Sequence, residues 1–224
     1  MPAGLQIYND FGTILIADTN PNYTYKSKGS AATNASSQLV LTVTDGVQPV
    51  IAFRSTAPVM LKRSARSGTT FTFTIFSETP GVTVDYWIFD VKGTPSTGYG
   101  LQVFNAAGQL MFDSSSKIAL VAGDGNYPGT ATVNTVLPAG RTYAAVAVAA
   151  GNGREGRDTF VGGMYEWDFR VWAPWLSYSG TTFTYKTSVS AWAYSSTEPN
   201  AMPPAIKNLY FTGAHVLYLD VTGY

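Results

Sequence analysis

A nine-residue segment occurs twice in this chain, as GLQIYNDFG at Gly4 to Gly12 and as GLQVFNAAG at Gly100 to Gly108. Five of the nine positions are identical, and Ile7 and Tyr8 give way to Val103 and Phe104, which keep β-branching and aromaticity and with them strand propensity. A repeat at fixed spacing limits the architectures open to a chain more sharply than composition does. Apolar residues continue the pattern, Ile14 and Ile16 in the first copy, Leu110 and Phe112 in the second. Each copy reads as strand, turn, strand. Asn9 and Asn105 suit the start of a turn, and Gly12 and Gly108 supply the positive φ that a short hairpin loop with a bulge needs.

Further matches follow in the same order. GTTFT at Gly68 to Thr72 recurs letter for letter at Gly180 to Thr184. Gly46 precedes the apolar run Val50 to Phe53, and Gly140 precedes Tyr143 to Ala150. Val84 and Trp87 are matched with Val189 and Trp192. The spacing is 96 residues at the hairpin and 112 at GTTFT, which places an insertion in the second copy upstream of Gly180. The expectation is an all-β chain of two tandem antiparallel β-sandwich-like domains from an internal duplication, residues 1–97 and 98–224, the second with loop insertions. Leu209 to Asp220, with Gly213 at a turn, reads as a third hairpin that closes the array.

Composition agrees with strands. Aromatic residues make up 14% of the 224 and charged residues only 12%. Thr70 to Ile75 and Thr182 to Tyr185 alternate hydroxyl with ring or aliphatic side chains at period two, as a strand with one buried face does. No stretch of eleven or more residues shows helical periodicity.

The 14 basic and 14 acidic residues cancel, so the electrostatic footprint of a nucleic-acid binder is missing and no nucleic-acid partner is expected. Lys62, Arg63 and Arg66 read as a solvated loop beside Gly68. The longest apolar run, Tyr143 to Ala150, is far short of the roughly 20 residues of a membrane span, and no secretory leader pattern opens the chain, so neither membrane insertion nor ordinary export is expected. There is no cysteine and one histidine, His215, read as an exposed turn residue. Thiolate metal sites, disulfides and a standard zinc set are thereby excluded or disfavoured, and no metal or cofactor is expected.

The candidate chemistry is thin. GNGREG at Gly151 to Gly156 has the letters of a dinucleotide fingerprint, but the fingerprint needs a following helix to hold the pyrophosphate, and Thr159 to Gly163 do not make one. Gly151 to Gly163 reads instead as a charged, exposed loop that includes Arg154, Glu155, Arg157 and Asp158, and AGDGNYPG at Ala122 to Gly129 reads as a second loop. Glu155, Asp158, Glu166 and Asp168 form the one local acidic cluster, which could serve glycosidic hydrolysis. Alternation of Glu166 and Asp168 with Trp167 and Phe169 gives the plainer reading of a solvent face opposite a ring face. In the aromatic run, Trp167, Phe169 and Val171 are expected to face inward, whereas Trp172 and Trp175 flank Pro174 at an expected bend or edge. Trp172, Trp175, Tyr178, Arg154 and Arg157 are the candidate binding residues, either as a recognition surface or, for the rings, as core filling.

The repeated GLQ-aromatic-Asn-x-x-Gly hairpin after Met-Pro-Ala, with DYWIFD at Asp85 to Asp90 leading through a Gly-rich linker into Gly98 to Gln102, resembles small tail-tip or tail-fibre-associated proteins of tailed bacteriophages and prophages. That resemblance implies a non-enzymatic virion component with β-rich domains. It would be assembled in the host cytoplasm, partnered by other tail proteins as a homo-oligomer, and placed to contact a host-surface glycan or receptor. It lends no catalytic residue. Two other readings stand beside it: a carbohydrate-binding module using exposed Trp and Tyr rings, and a glycoside hydrolase using the acidic cluster.

Overall fold

The computed structural model describes residues 6–8, 14–17, 22–91, 100–127, 132–149, 153–161, 163–198, 210–211 and 213–224, with side chains apart from those at 6–8, 14–17, 149, 153–159, 161, 165–174, 188–198 and 210–211. Among the described residues there are strands and no helix. In chain order they are β1 (Gln6–Tyr8), β2 (Ile14–Ala17), β3 (Thr24–Ala32), β4 (Gln38–Val43), β5 (Val50–Arg54), β6 (Val59–Ser67), β7 (Thr70–Ser77), β8 (Thr83–Asp90) and β9 (Gln102–Phe104). There follow β10 (Leu110–Asp113), β11 (Leu120–Tyr127), β12 (Val133–Val136), β13 (Tyr143–Ala149), β14 (Gly153–Val161), β15 (Met164–Ser179), β16 (Thr182–Glu198), β17 (Tyr210–Phe211) and β18 (Ala214–Asp220).

The repeated segments are hairpins. β1 pairs with β2 and β9 with β10, both antiparallel and both with an irregular step in register. In the second, Asn105 Oδ1 accepts from the amides of Ala107 and Gln109, and Gly108 takes a φ of +75°, as the turn requires. The GTTFT turns are built alike: Gly68 and Gly180 have φ of 61° and 62° and join β6 to β7 and β15 to β16.

Two antiparallel sheets pack face to face. One runs β11-β18-β13-β5-β8-β3; the other runs β12-β16-β15-β6-β7-β4, with β14 added on β15 and β17 on β14. Both halves of the chain contribute to both sheets. They meet where Ala145 of β13 lies against Phe53 of β5 and Leu176 of β15 against Val59 of β6. The registers of the halves coincide. Thr24, Tyr25 and Ser27 oppose Asp90, Phe89 and Ile88, with Lys26 bulged, while Leu120, Val121 and Gly123 oppose Asp220, Leu219 and Tyr218, with Ala122 bulged.

Period-two burial explains the layers. Phe71, Phe73 and Ile75 of β7 point into the space between the sheets, where they join Ile51, Phe53, Val84 and Ile88 of the first half and Tyr127, Tyr143, Phe183, Tyr185 and Tyr218 of the second in one cluster. Each such side chain contributes about 1.5–3 kcal/mol on burial, and with no disulfide present this core carries the stability. β8 is buried on both faces: Val84 and Ile88 enter that core, whereas Trp87 and Phe89 pack outside it with Ala52, Ala144, Leu219 and Val221. Tyr25 and Tyr224 close over Phe89 with ring centroids 6.2 and 5.7 Å away. Double burial is why DYWIFD reads as a continuous apolar run rather than an alternation.

Several expectations are corrected. Ala214–Asp220 is not the far arm of a closing hairpin; β18 lies between β11 and β13, and β17 pairs with β14. The register match makes β18, not β16, the equivalent of β8, so Val84 and Trp87 have no counterparts in Val189 and Trp192, which extend β16. Gly153–Val161 is a strand, because β15 offers it nine consecutive partners that outweigh the weak strand preference of glycine. Ala122–Tyr127 likewise belongs to β11, where Gly125 leaves room for the Tyr127 phenol; Pro128 and Gly129 lie outside the described residues. Lys62, Arg63 and Arg66 sit on β6, with Lys62 Nζ 4.4 Å from the Phe76 ring centre and the Arg66 guanidinium 5.2 Å from that of Phe71.

Candidate binding groove

The antiparallel pairing of β5 with β8 sets Arg54 directly opposite Asp85. Arg54 Nε donates to Asp85 Oδ2 across 3.1 Å. Strand alternation puts both on the outer side of the sheet, the side of Ala52 and Trp87. The Arg54 guanidinium carbon lies 5.5 Å from the Trp87 ring centre and 5.4 Å from that of Tyr178, so the cation is held between two rings. Tyr178 arrives from β15 in the other half, and its amide donates to the Ser55 carbonyl at 2.8 Å. Around the pair a groove of about 220 Å³ is lined by Arg54, Ser55, Thr56, Thr83, Asp85 and Tyr178.

Within it the Ser55 hydroxyl is committed, donating to the Thr83 carbonyl and accepting from the Ala57 amide. The polar groups left to a ligand are the Asp85 carboxylate, the Arg54 guanidinium and the hydroxyls of Thr56, Thr83 and Tyr178. This chemistry is not demanded by the scaffold. His215 stands as far before Asp220 as Asp85 stands before Asp90, and its partner on β13 is Ala149, so the matching place in the second half lacks the Arg–Asp pair and has instead His215 Nε2 3.5 Å from Asp124 of β11.

A larger cleft, about 360 Å³, opens between the sheet edges β3 and β4 over Leu41, Val43, Tyr86 and Ile88. Its cation is spent: Lys26 Nζ donates to the carbonyls of Thr44 and Asp45, both at 3.1 Å, and sits 3.7 Å from the Asp90 carboxylate. Asp90 in turn accepts from the amides of Val47 and Gln48. Lys26 therefore joins the two sheets at their margin.

The residues singled out in the sequence are dispersed. Tyr178 lines the groove, but Arg54 covers its ring and Phe183 packs tilted at 4.8 Å, so it presents no open stacking face. Trp175 is 2% exposed and packs against Phe76, ring centroids 6.3 Å apart, so it is not presented to a ligand. Pro174 lies inside β15 opposite Thr187 of β16; on its other side it falls between Trp172, the last residue paired with β14, and Leu176, which meets β6. The side chains of Trp172, Arg154 and Arg157, like those of Trp167, Phe169 and Val171, lie outside the described residues. Their backbone is strand, and the β14–β15 register sets Glu155 opposite Arg170 and Arg157 opposite Asp168. His215 is on β18, not in a turn, with Nε2 3.5 Å from Asp124 Oδ2. Among the described residues no group of three or more His, Asp or Glu is arranged to hold a metal ion.

Arg54, Thr56, Thr83 and Asp85 went unread in the sequence. An Arg and an Asp 31 residues apart carry no local pattern; only the β5–β8 register pairs them. Comparison with protein-family models, curated proteins and solved structures finds no match to the chain.

Proposed function

We propose that this chain is a non-enzymatic structural component of a phage tail, assembled in the host cytoplasm beside other tail proteins, and that it contacts the host surface during adsorption. The reading rests on the resemblance of the repeated hairpin. The observation that carries the contact role is that one of two matching places on the outer sheet face bears an Arg–Asp pair in a groove lined by Thr and Tyr residues, whereas the other bears His215 beside Asp124, with Ala149 where Arg54 would stand. In the same reading the halves are copies of one ancestral unit, supported by their common strand order and by bulges at Lys26 and Ala122. Mass spectrometry of purified particles, with labelling to place the protein on the tail by electron microscopy, tests it. Detection at a fixed stoichiometry is expected, and absence from intact particles would sink it.

A further inference from the structure

We propose that the groove around the Arg54–Asp85 pair binds one ring of a neutral saccharide through two adjacent hydroxyl groups. The inference rests on the tail reading only for where such a sugar would be met; its chemistry comes from the groove. Arg54 and Asp85 cancel in charge, so a free cation meets Arg54 and a free anion meets Asp85 at close range, and neither has a net field to draw it in. A vicinal diol suits both groups at once. One hydroxyl donates to the Asp85 carboxylate, its neighbour accepts from the guanidinium, and hydrogen bonds to charged partners are the stronger kind. Because the two rings hold the guanidinium in place, little ordering is left to the moment of binding. Thr56, Thr83 and Tyr178 ring the site with hydroxyls that can give or take a proton as the sugar demands. The groove's volume admits a single ring rather than a chain lying along it.

A saccharide ring offers few atoms, so Kd falls at roughly millimolar levels. Saturation-transfer NMR on the intact chain with glucose, galactose, mannose, rhamnose and N-acetylglucosamine is the direct test, with N-acetylneuraminic acid and inorganic phosphate as anionic controls. At least one neutral sugar is expected to bind, and Asp85→Asn to weaken it about tenfold. Because Asp85→Asn disturbs an ion pair, Thr56→Val and Tyr178→Phe serve as milder variants, each expected to weaken binding about threefold with an unchanged unfolding temperature. No transfer from any neutral sugar overturns the proposal, as does tighter binding of the anions. Sugar binding that all three variants leave intact overturns it too, by placing the site elsewhere. Presence in particles without sugar binding removes this inference and leaves the tail reading standing; sugar binding without presence in particles does the reverse.

Discussion

The hydroxyl of Tyr127, at the end of β11, meets that of Tyr218, in the middle of β18, inside the core between the sheets. Tyr127 also reaches Thr135 Oγ1 at 2.7 Å and stacks on Tyr185 at 4.4 Å with the planes 9° apart. This is a polar knot in the second half, where the first half has Ile88 in the place of Tyr218.

The knot should make the protein sensitive to alkali. Burial holds the Tyr218 hydroxyl above the usual tyrosine value, and the neighbouring Tyr127 adds to it against an opposing hydrogen bond from Thr135. The folded state thus prefers the neutral phenol. Its stabilising contribution is complete below the unfolded value and is lost progressively as pH rises past it toward the folded one. Urea unfolding between about pH 8 and pH 11 should show falling stability, and Tyr218→Phe, costing about 1 kcal/mol at the lower pH, should flatten the fall. A fall of equal depth in Tyr218→Phe would show that other groups cause it.

Two glycines make room for phenols. A Cβ at Gly29 would collide with the Tyr86 ring and hydroxyl, and one at Gly125 with those of Tyr127. Neither has a positive φ, so the cost of alanine is steric. Gly125→Ala should destabilise by about 1–3 kcal/mol, because the Tyr127 ring is fixed by Tyr185 and Tyr218. Gly29→Ala, facing a half-buried Tyr86 that can swing away, should cost less. Paired thermal melts read the difference.

Trp175 buries its indole N–H with no partner among the described residues. An unmade hydrogen bond of that kind costs about 1–3 kcal/mol, so Trp175→Phe should change stability by less than about 1 kcal/mol, the relieved donor offsetting the smaller ring. Trp175→Ala should cost about 3–5 kcal/mol. Neither should alter saccharide binding in a folded protein, and a selective loss of binding in Trp175→Phe would contradict the buried placement.

Asp220 closes β18 much as Asp90 closes β8. Burial by itself would raise its pKa, but hydrogen bonds from Thr222 and the Arg141 guanidinium, 2.7 Å away, outweigh burial and hold it below the usual carboxylate value. A lowered value means stability present above the unfolded pKa and lost as pH falls through the folded one. Asp220→Asn should therefore be less stable than the parent near neutrality and converge with it below about pH 3. Circular-dichroism melts across that range check the convergence.

What the sequence by itself determined is local. Period-two alternation at Thr70 to Ile75 and at Thr182 to Tyr185 specifies strands with one ring-bearing face, because side chains on a pleated backbone alternate whatever their partner. Asn105 with Gly108, and Gly68 and Gly180, specify turns, because few other residues adopt those backbone angles cheaply. What the tertiary structure decided is which strands pair. β13 lies against β5 and β15 against β6, so the halves share one core rather than closing two. Long-range pairing also made a strand of the glycine-rich Gly153–Val161, drew Ala214–Asp220 into the middle of a sheet and buried Trp175. It brought Arg54 to Asp85 and both to Tyr178. Such partnerships depend on total burial and register over the whole chain, and no window of neighbouring residues contains that information.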